Sequence, residues 1–169
     1  TGVQTCALPI LCLDAGVDHI GVALDTGFSC PREVDYQTCK DIFNLIGNKA
    51  KKVLIIVSLD EGPVLEYVSK LHPDIIHICG NEYRSSPELV DKLRKLQPGI
   101  EIMQAIGLPN EHAFEEAIYF AKFCDYLILD SVNPTITSIG VAGMTHSWDD
   151  DKKIVDLVKP TKVIMAGGL

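Results

Sequence analysis

With 169 residues and 47% hydrophobic content, the chain is sized for one compact domain with its own core. A formal charge of -8 argues against a nucleic-acid-binding face, and no apolar stretch is long enough to span a bilayer. Its six cysteines show neither CxxC pairing nor metal-ligand spacing, so they read as free thiols in a reducing cytoplasm.

Residues 1–10 back-translate into a common sequencing-library adapter and are expected to lie outside the fold, leaving 11–169 for the domain. The first apolar run, 19–25, stops at Asp25, and a helix is expected over 33–46, closed near Gly47. After the run 53–58, Asp60 and Glu61 open a helix striped by Val64, Leu65, Val68 and Leu71, with Pro63 harmless in the first turn. The run 75–80 carries His77 and Cys79, two apart and so on one face. Ser86, Pro87 and Glu88 supply a cap, a first-turn proline and an early acid, ahead of Leu89, Val90, Leu93 and Leu96, and Gly99 ends that helix. Following the run 101–105, Asn110 and Glu111 open a helix whose expected apolar face is Ala113, Phe114, Ala117, Ile118 and Ala121. The run 126–130 ends on Asp130, and the loop-like stretch 131–147 follows. Asp149, Asp150 and Asp151 then load a helix start before Ile154, Val155 and Val158, and the last run, 163–168, closes on Gly167 and Gly168.

Near-continuous apolar strands must be covered on both faces, and strand–helix alternation without hairpin signals points to an α/β fold with parallel strands. A doubly wound open sheet and a closed (β/α)8 TIM barrel both satisfy the order. The barrel is favoured because no glycine-rich dinucleotide fingerprint follows any strand and polar groups recur at the strand ends.

Asp130 is the leading catalytic candidate, since a carboxyl emerging from an apolar strand is partly desolvated and its pKa rises toward that of a general acid. An aspartate so placed serves as well to accept loop amides. Gly140 and Gly143, and the pair Gly167 and Gly168, are candidate anion cradles, because glycine lets backbone N–H groups approach a phosphate. Arg32 could reach a ligand carboxylate or phosphate. His77, Cys79 and Asp130 match no recognised metal motif, so His77 reads first as a satisfied core histidine, and Trp148 and Phe114 as core.

Together these motifs resemble the phosphoribosylanthranilate isomerase family. Residues 14–21, D-A-G-V-D-H-I-G, look like its E-A-G-A-D-x-I-G; 29–32, S-C-P-R, its K-S-P-R; and 78–82, I-C-G-N-E, its L-H-G-D-E. Residues 127–131, L-I-L-D-S, match L-L-L-D-[ST]; 140–148, G-V-A-G-M-T-H-S-W, follow G-G-T-G-K-T-F-D-W; and 166–169 equal A-G-G-L. The resemblance implies an incomplete (β/α)8 barrel holding about strands two to seven. It also implies an Amadori rearrangement of N-(5-phosphoribosyl)anthranilate in tryptophan biosynthesis, with no metal or organic cofactor. Asp130 would be the general acid, and a cysteine on strand one, outside this sequence, the base. Arg32 would engage the anthranilate part, His77, Gly140 and Gly143 would line the substrate site, and Gly167 and Gly168 would form half of the phosphate site. A piece of barrel with two unpaired sheet edges is expected to be inactive and weakly stable. His77, Cys79, Val141 and Met144 depart from the family pattern. They leave open a divergent phosphate-binding barrel, such as a sugar-phosphate epimerase, or a sugar-phosphate binder without turnover. Oligomeric state is not legible.

Overall fold

The computed structural model describes residues 2–24, 26, 33–57, 60–80, 84–132, 139 and 144–168, with side chains from residue 8 onward. Among them six strands alternate with six helices: α1 (Gly2–Asp14), β1 (His19–Ala23), α2 (Tyr36–Ile46), β2 (Lys51–Ile56), α3 (Glu61–Leu71), β3 (Ile75–Ile78), α4 (Pro87–Leu96), β4 (Glu101–Leu108), α5 (Ala113–Phe120), β5 (Tyr126–Ser131), α6 (Trp148–Leu157) and β6 (Lys162–Met165). The strands form one sheet in sequence order, and β1–β2, β4–β5 and β5–β6 pair in parallel, which is the expected α/β arrangement. Two compact units divide the chain: Thr1–Ile76 with Leu93–Ile100, and His77–Lys92 with Glu101–Leu169.

In the first unit, His19 to Ala23 of β1 lie opposite Lys51 to Ile55 of β2. Helix α1 runs through residues 2–10 and on to Asp14, and it packs against α2. Helix α2 begins later than expected because Asp35 is its cap, its carboxylate accepting from the Thr38 N–H at 2.7 Å. Cys39, Ile42, Phe43 and Ile46 form its buried face, and Gly47, with φ 53°, ends it. In α3, Val64, Val68 and Leu71 are buried; Asp60 stands at the cap position without a side-chain capping bond.

The second unit holds the site. Every residue of β4 after Glu101 is buried, and the strand reaches Leu108, three residues beyond the expected run. Met103 to Leu108 pair with Tyr126 to Ser131, and Tyr126 to Leu129 pair with Lys162 to Met165. Ile102, Ile106, Leu127, Leu129 and Ile154 are fully buried, each contributing about 1.5–3 kcal/mol. Within each unit an acid just ahead of one strand grips the strand beside it. Asp74 accepts from the Lys52 N–H at 2.8 Å and donates its own N–H to the Lys52 carbonyl, and Asp125 does the same with Ile102.

Three expectations about packing need correction. Helix α5 starts at Ala113 with His112 as cap residue, because the Asn110 side chain instead accepts from the His112 N–H in a turn of its own. Its buried face is Ala113, Ala117 and Phe120, which leaves Ile118 exposed and Phe114 half-buried. Trp148, expected in the core, opens α6 with 61% of its surface exposed. Leu96 also faces solvent, although Ser86 caps α4 as expected through the Leu89 N–H. Among the described residues no helix is long and apolar enough to cross a membrane, and Cys12, Cys39, Cys79 and Cys124 are free thiols.

Candidate active site

Strand β5 carries Asp130 at its end, opposite Gly107 of β4. The Asp130 carboxyl is half-buried, and burial pushes its pKa above the usual carboxylate value. The Ser131 N–H, donating to Oδ1 at 2.7 Å, and the charge of His146 pull it back down. Strand β6 ends beside it: the Ala166 N–H donates to the Leu129 carbonyl at 2.8 Å, and the next two residues turn with positive φ, 90° at Gly167 and 65° at Gly168.

Both glycines are needed where they stand. A Cβ at Gly167 would collide with the Ser131 hydroxyl and lie 3.1 Å from Asp130 Oδ1; one at Gly168 would lie 2.8 Å from the Met144 carbonyl carbon and from Thr145 Cγ2. The main chain after β6 is thus pressed against Asp130 and Ser131 on one side and residues 144–145 on the other. This brings the sequence-read acid and the sequence-read glycine turn to the same strand ends.

The neighbouring groups are less reactive than their types suggest. Cys79 follows β3 and donates its thiol to the Ile139 carbonyl at 3.5 Å; burial, and secondarily the charge of Asp130, pushes it up to about 12, so it stays a thiol near neutrality. His77 lies within β3, 8% exposed, and burial pushes it down to about 4, so it is neutral at pH 7. Among the described residues its Nε2 has no hydrogen-bond partner, so it is buried as expected but not satisfied there. No group of three His, Cys, Asp or Glu side chains among the described residues is arranged to hold a metal ion. Arg32, Gly140 and Gly143, with Asp25 and Glu82, lie outside the described residues.

Several residues here escaped the sequence reading. Gln104, fully buried in β4, accepts from the Ser85 N–H at 2.7 Å and hydroxyl at 2.6 Å, and donates to the Ala105 carbonyl at 2.9 Å. An amide inside an apolar run was the available signal. Arg84 bridges to Glu116 at 3.2 Å over the Phe120 ring. His146 and Asp151 form a buried contact behind Ser131, with Nε2 3.0 Å from Oδ2. Among the described residues neither atom has a hydrogen-bond partner, so the two approach closely without an aligned bond. An open depression lined by Asp18, Lys49, Lys51 and Asp74 lies where β1 and β2 begin; the groups with chemistry are at strand ends, and no role is assigned to it.

No family model matches the chain. It is 27% identical over 149 residues to N-(5'-phosphoribosyl)anthranilate isomerase of Rhodopseudomonas palustris (strain BisB5), covering 88% of this chain and 66% of that relative, just under two thirds of its length. Among solved structures, phosphoribosyl anthranilate isomerase from Thermus thermophilus superposes with a TM-score of 0.70 at 18% identity, over 96% of this chain and 71% of that one. A phosphoribosyl anthranilate isomerase in complex with reduced 1-(o-carboxyphenylamino)-1-deoxyribulose 5-phosphate gives a TM-score of 0.61 at 16% identity, over 99% and 84%. The two structural likenesses establish a shared fold.

Proposed function

Because the chain belongs to the phosphoribosylanthranilate isomerase family, we propose that it takes part in tryptophan biosynthesis as that isomerase, with Asp130 as general acid. The substrate would be N-(5-phosphoribosyl)anthranilate and the product the carboxyphenylamino-deoxyribulose phosphate. The observation that carries the reading is the half-buried Asp130 carboxyl, raised by burial, against the Gly167–Gly168 turn.

In this reaction Asp130 gives its proton to the furanose ring oxygen. The ring C–O bond breaks as the anthranilate nitrogen lone pair forms a C=N bond, and the ring oxygen leaves as the sugar hydroxyl. A base removes the C2 proton, and the resulting enolamine tautomerises to the ketone. Under this reading β1 to β6 are strands two to seven of a (β/α)8 barrel, the numbering that the order of the sequence motifs implies. The base is then a cysteine on a strand ahead of β1. Cys12 lies in α1 and is not given that role. Gly167 and Gly168 hold half of the phosphate site, Arg32 engages the anthranilate part of the ligand, and His77, Gly140 and Gly143 line the substrate site. The reading assigns the barrel to residues 11–169, sets 1–10 apart from it, and puts the enzyme in the cytoplasm.

One observation favours a second reading. Met144, where the family pattern has a basic residue, exposes its side chain beside Gly168, so the charge offered to the ligand differs and another phosphorylated sugar or amine could be the substrate. Turnover separates the two. The full-length protein should convert N-(5-phosphoribosyl)anthranilate. Asp130→Asn should abolish that conversion while product-analogue affinity stays within about tenfold, about 1.4 kcal/mol. Undiminished turnover by Asp130→Asn would overturn the assignment of the acid, and no turnover by the parent protein would overturn the substrate.

A further inference from the structure

Gly107 of β4 lies opposite Asp130 of β5, so both residues face the same side of the sheet, about 5 Å apart. A side chain at 107 would be the carboxyl's nearest neighbour on that flank. Gly107 has none, and other residues occupy the space. A Cβ there would fall 2.5 Å from Val132 Cγ2, 3.2 Å from Ile139 Cγ1 and 3.5 Å from Ile139 Cδ1. Three contacts keep these two side chains in place. The Val132 N–H carries the ladder one residue past β5 by donating to the Leu108 carbonyl at 2.9 Å. Ile139 bridges antiparallel to Val132, which returns it to the end of β5. The Cys79 thiol, from the end of β3, donates to the Ile139 carbonyl at 3.5 Å. Ile139 is 2% exposed, so it has almost no surface to offer a ligand.

We propose that Ile139, seated with Val132 on Gly107, is a positioning residue that keeps water off the β4 flank of the Asp130 carboxyl. It acts through Asp130 and not on the substrate. The inference rests on the reading of Asp130 as the acid only for its catalytic consequence; the exclusion of water stands without turnover. On the β6 flank the main chain at Gly167 already closes in, since a Cβ there would lie 3.1 Å from Asp130 Oδ1. With apolar side chains on the other flank, the ionised carboxylate loses hydration from both sides, whereas the protonated acid loses little. Burial is accordingly the leading influence on this group, and it acts upward. The titratable groups facing Asp130 among the described residues are Cys79, from the end of β3, and His146, from the segment ahead of α6. Strands β4 and β6 present only glycines to it there, Gly107 and Gly167. Substitution at 139 removes neither titratable group and leaves the carbonyl that Cys79 bonds.

The experiment is a 13C titration of the Asp130 carboxyl in the full-length protein, with unfolding curves for each variant. Ile139→Ala opens the flank, and Ile139→Thr keeps the branched shape but adds a hydroxyl that binds water. Both should move the Asp130 midpoint to lower pH, toward the ordinary carboxylate value, and Ile139→Val should restore it toward the parent. The alkaline limb of the kcat profile should move down by the same amount, because the acid is then protonated over a narrower range. A merely structural role would lower the unfolding midpoint and leave that limb in place. An Asp130 midpoint unmoved or raised in Ile139→Thr would overturn the proposal. Were that variant to lose its cooperative unfolding transition, Val132→Ala decides by the same reading. Failure of the isomerase reading would instead show as absent turnover in the parent with the carboxyl shifts intact.

Discussion

Replacing Gly167 by alanine tests the packing that brings β6 to the acid. The residue has φ 90°, a conformation that costs an L side chain about 1–2 kcal/mol. The added Cβ also meets atoms that cannot retreat. Ser131 Oγ is tied to the Met144 carbonyl and to His146, and the Ser131 backbone nitrogen, 3.1 Å away, belongs to β5. Overpacking of that kind costs a further 1–3 kcal/mol or so, giving about 2–5 kcal/mol together. Urea unfolding followed by circular dichroism would read the loss as a lower midpoint at unchanged slope. The variant should also disturb the Asp130 carboxyl resonance, since the Cβ would lie 3.1 Å from Oδ1. A loss below about 0.5 kcal/mol, the ordinary range of a surface substitution, would refute the claim that this turn is pressed against β5.

Further outcomes follow from the same structure. His77 is neutral and buried, its pKa down from 6.5 to about 4, so below pH 6.5 the unfolded chain binds a proton that the folded chain refuses. Stability should therefore fall as pH drops from 7 toward 4, by about 3 kcal/mol from this group; unfolding curves for His77→Phe should be flatter over that window, and an equal slope would contradict the burial. Leu127→Ala, in the fully buried heart of β5, should cost about 2–5 kcal/mol by the same unfolding assay. Inorganic phosphate should inhibit turnover competitively if Gly167 and Gly168 hold the ligand phosphate; indifference at tens of millimolar, roughly ten times a millimolar site constant, would count against that cradle.

The strand–helix alternation was legible because each strand is an apolar run bounded by polar residues or glycine, and because a serine before α4 and a proline at its first position punctuate it plainly. Edges were less legible, since the termini depend on which side chain wins the cap. Asp35 rather than Glu33 starts α2, and Asn110 spends its oxygen on a turn before α5. Asp130 and the glycine pair stood out as polar or flexible positions closing apolar strands. His146, Asp151 and Gln104 did not, because their roles arise from contacts that no periodicity encodes. Asp151 reads as one of three acids favouring the α6 dipole, yet it turns inward to His146, leaving Asp149 and Asp150 to the helix start. Trp148 shows the converse: a large aromatic that hydrophobicity assigns to the core stands exposed at the first position of α6.

Titrating the chain with the reduced carboxyphenylamino-deoxyribulose phosphate analogue, while following backbone amide and carboxyl resonances, asks whether the group at the end of β5 faces the ligand. Ser131, Thr145, Gly167 and Gly168 amides should shift together with the Asp130 carboxyl at one common affinity. Saturable binding that leaves Asp130 and both glycines unmoved would mean that the ligand is held elsewhere, and the chemistry assigned to this carboxyl would fall with it.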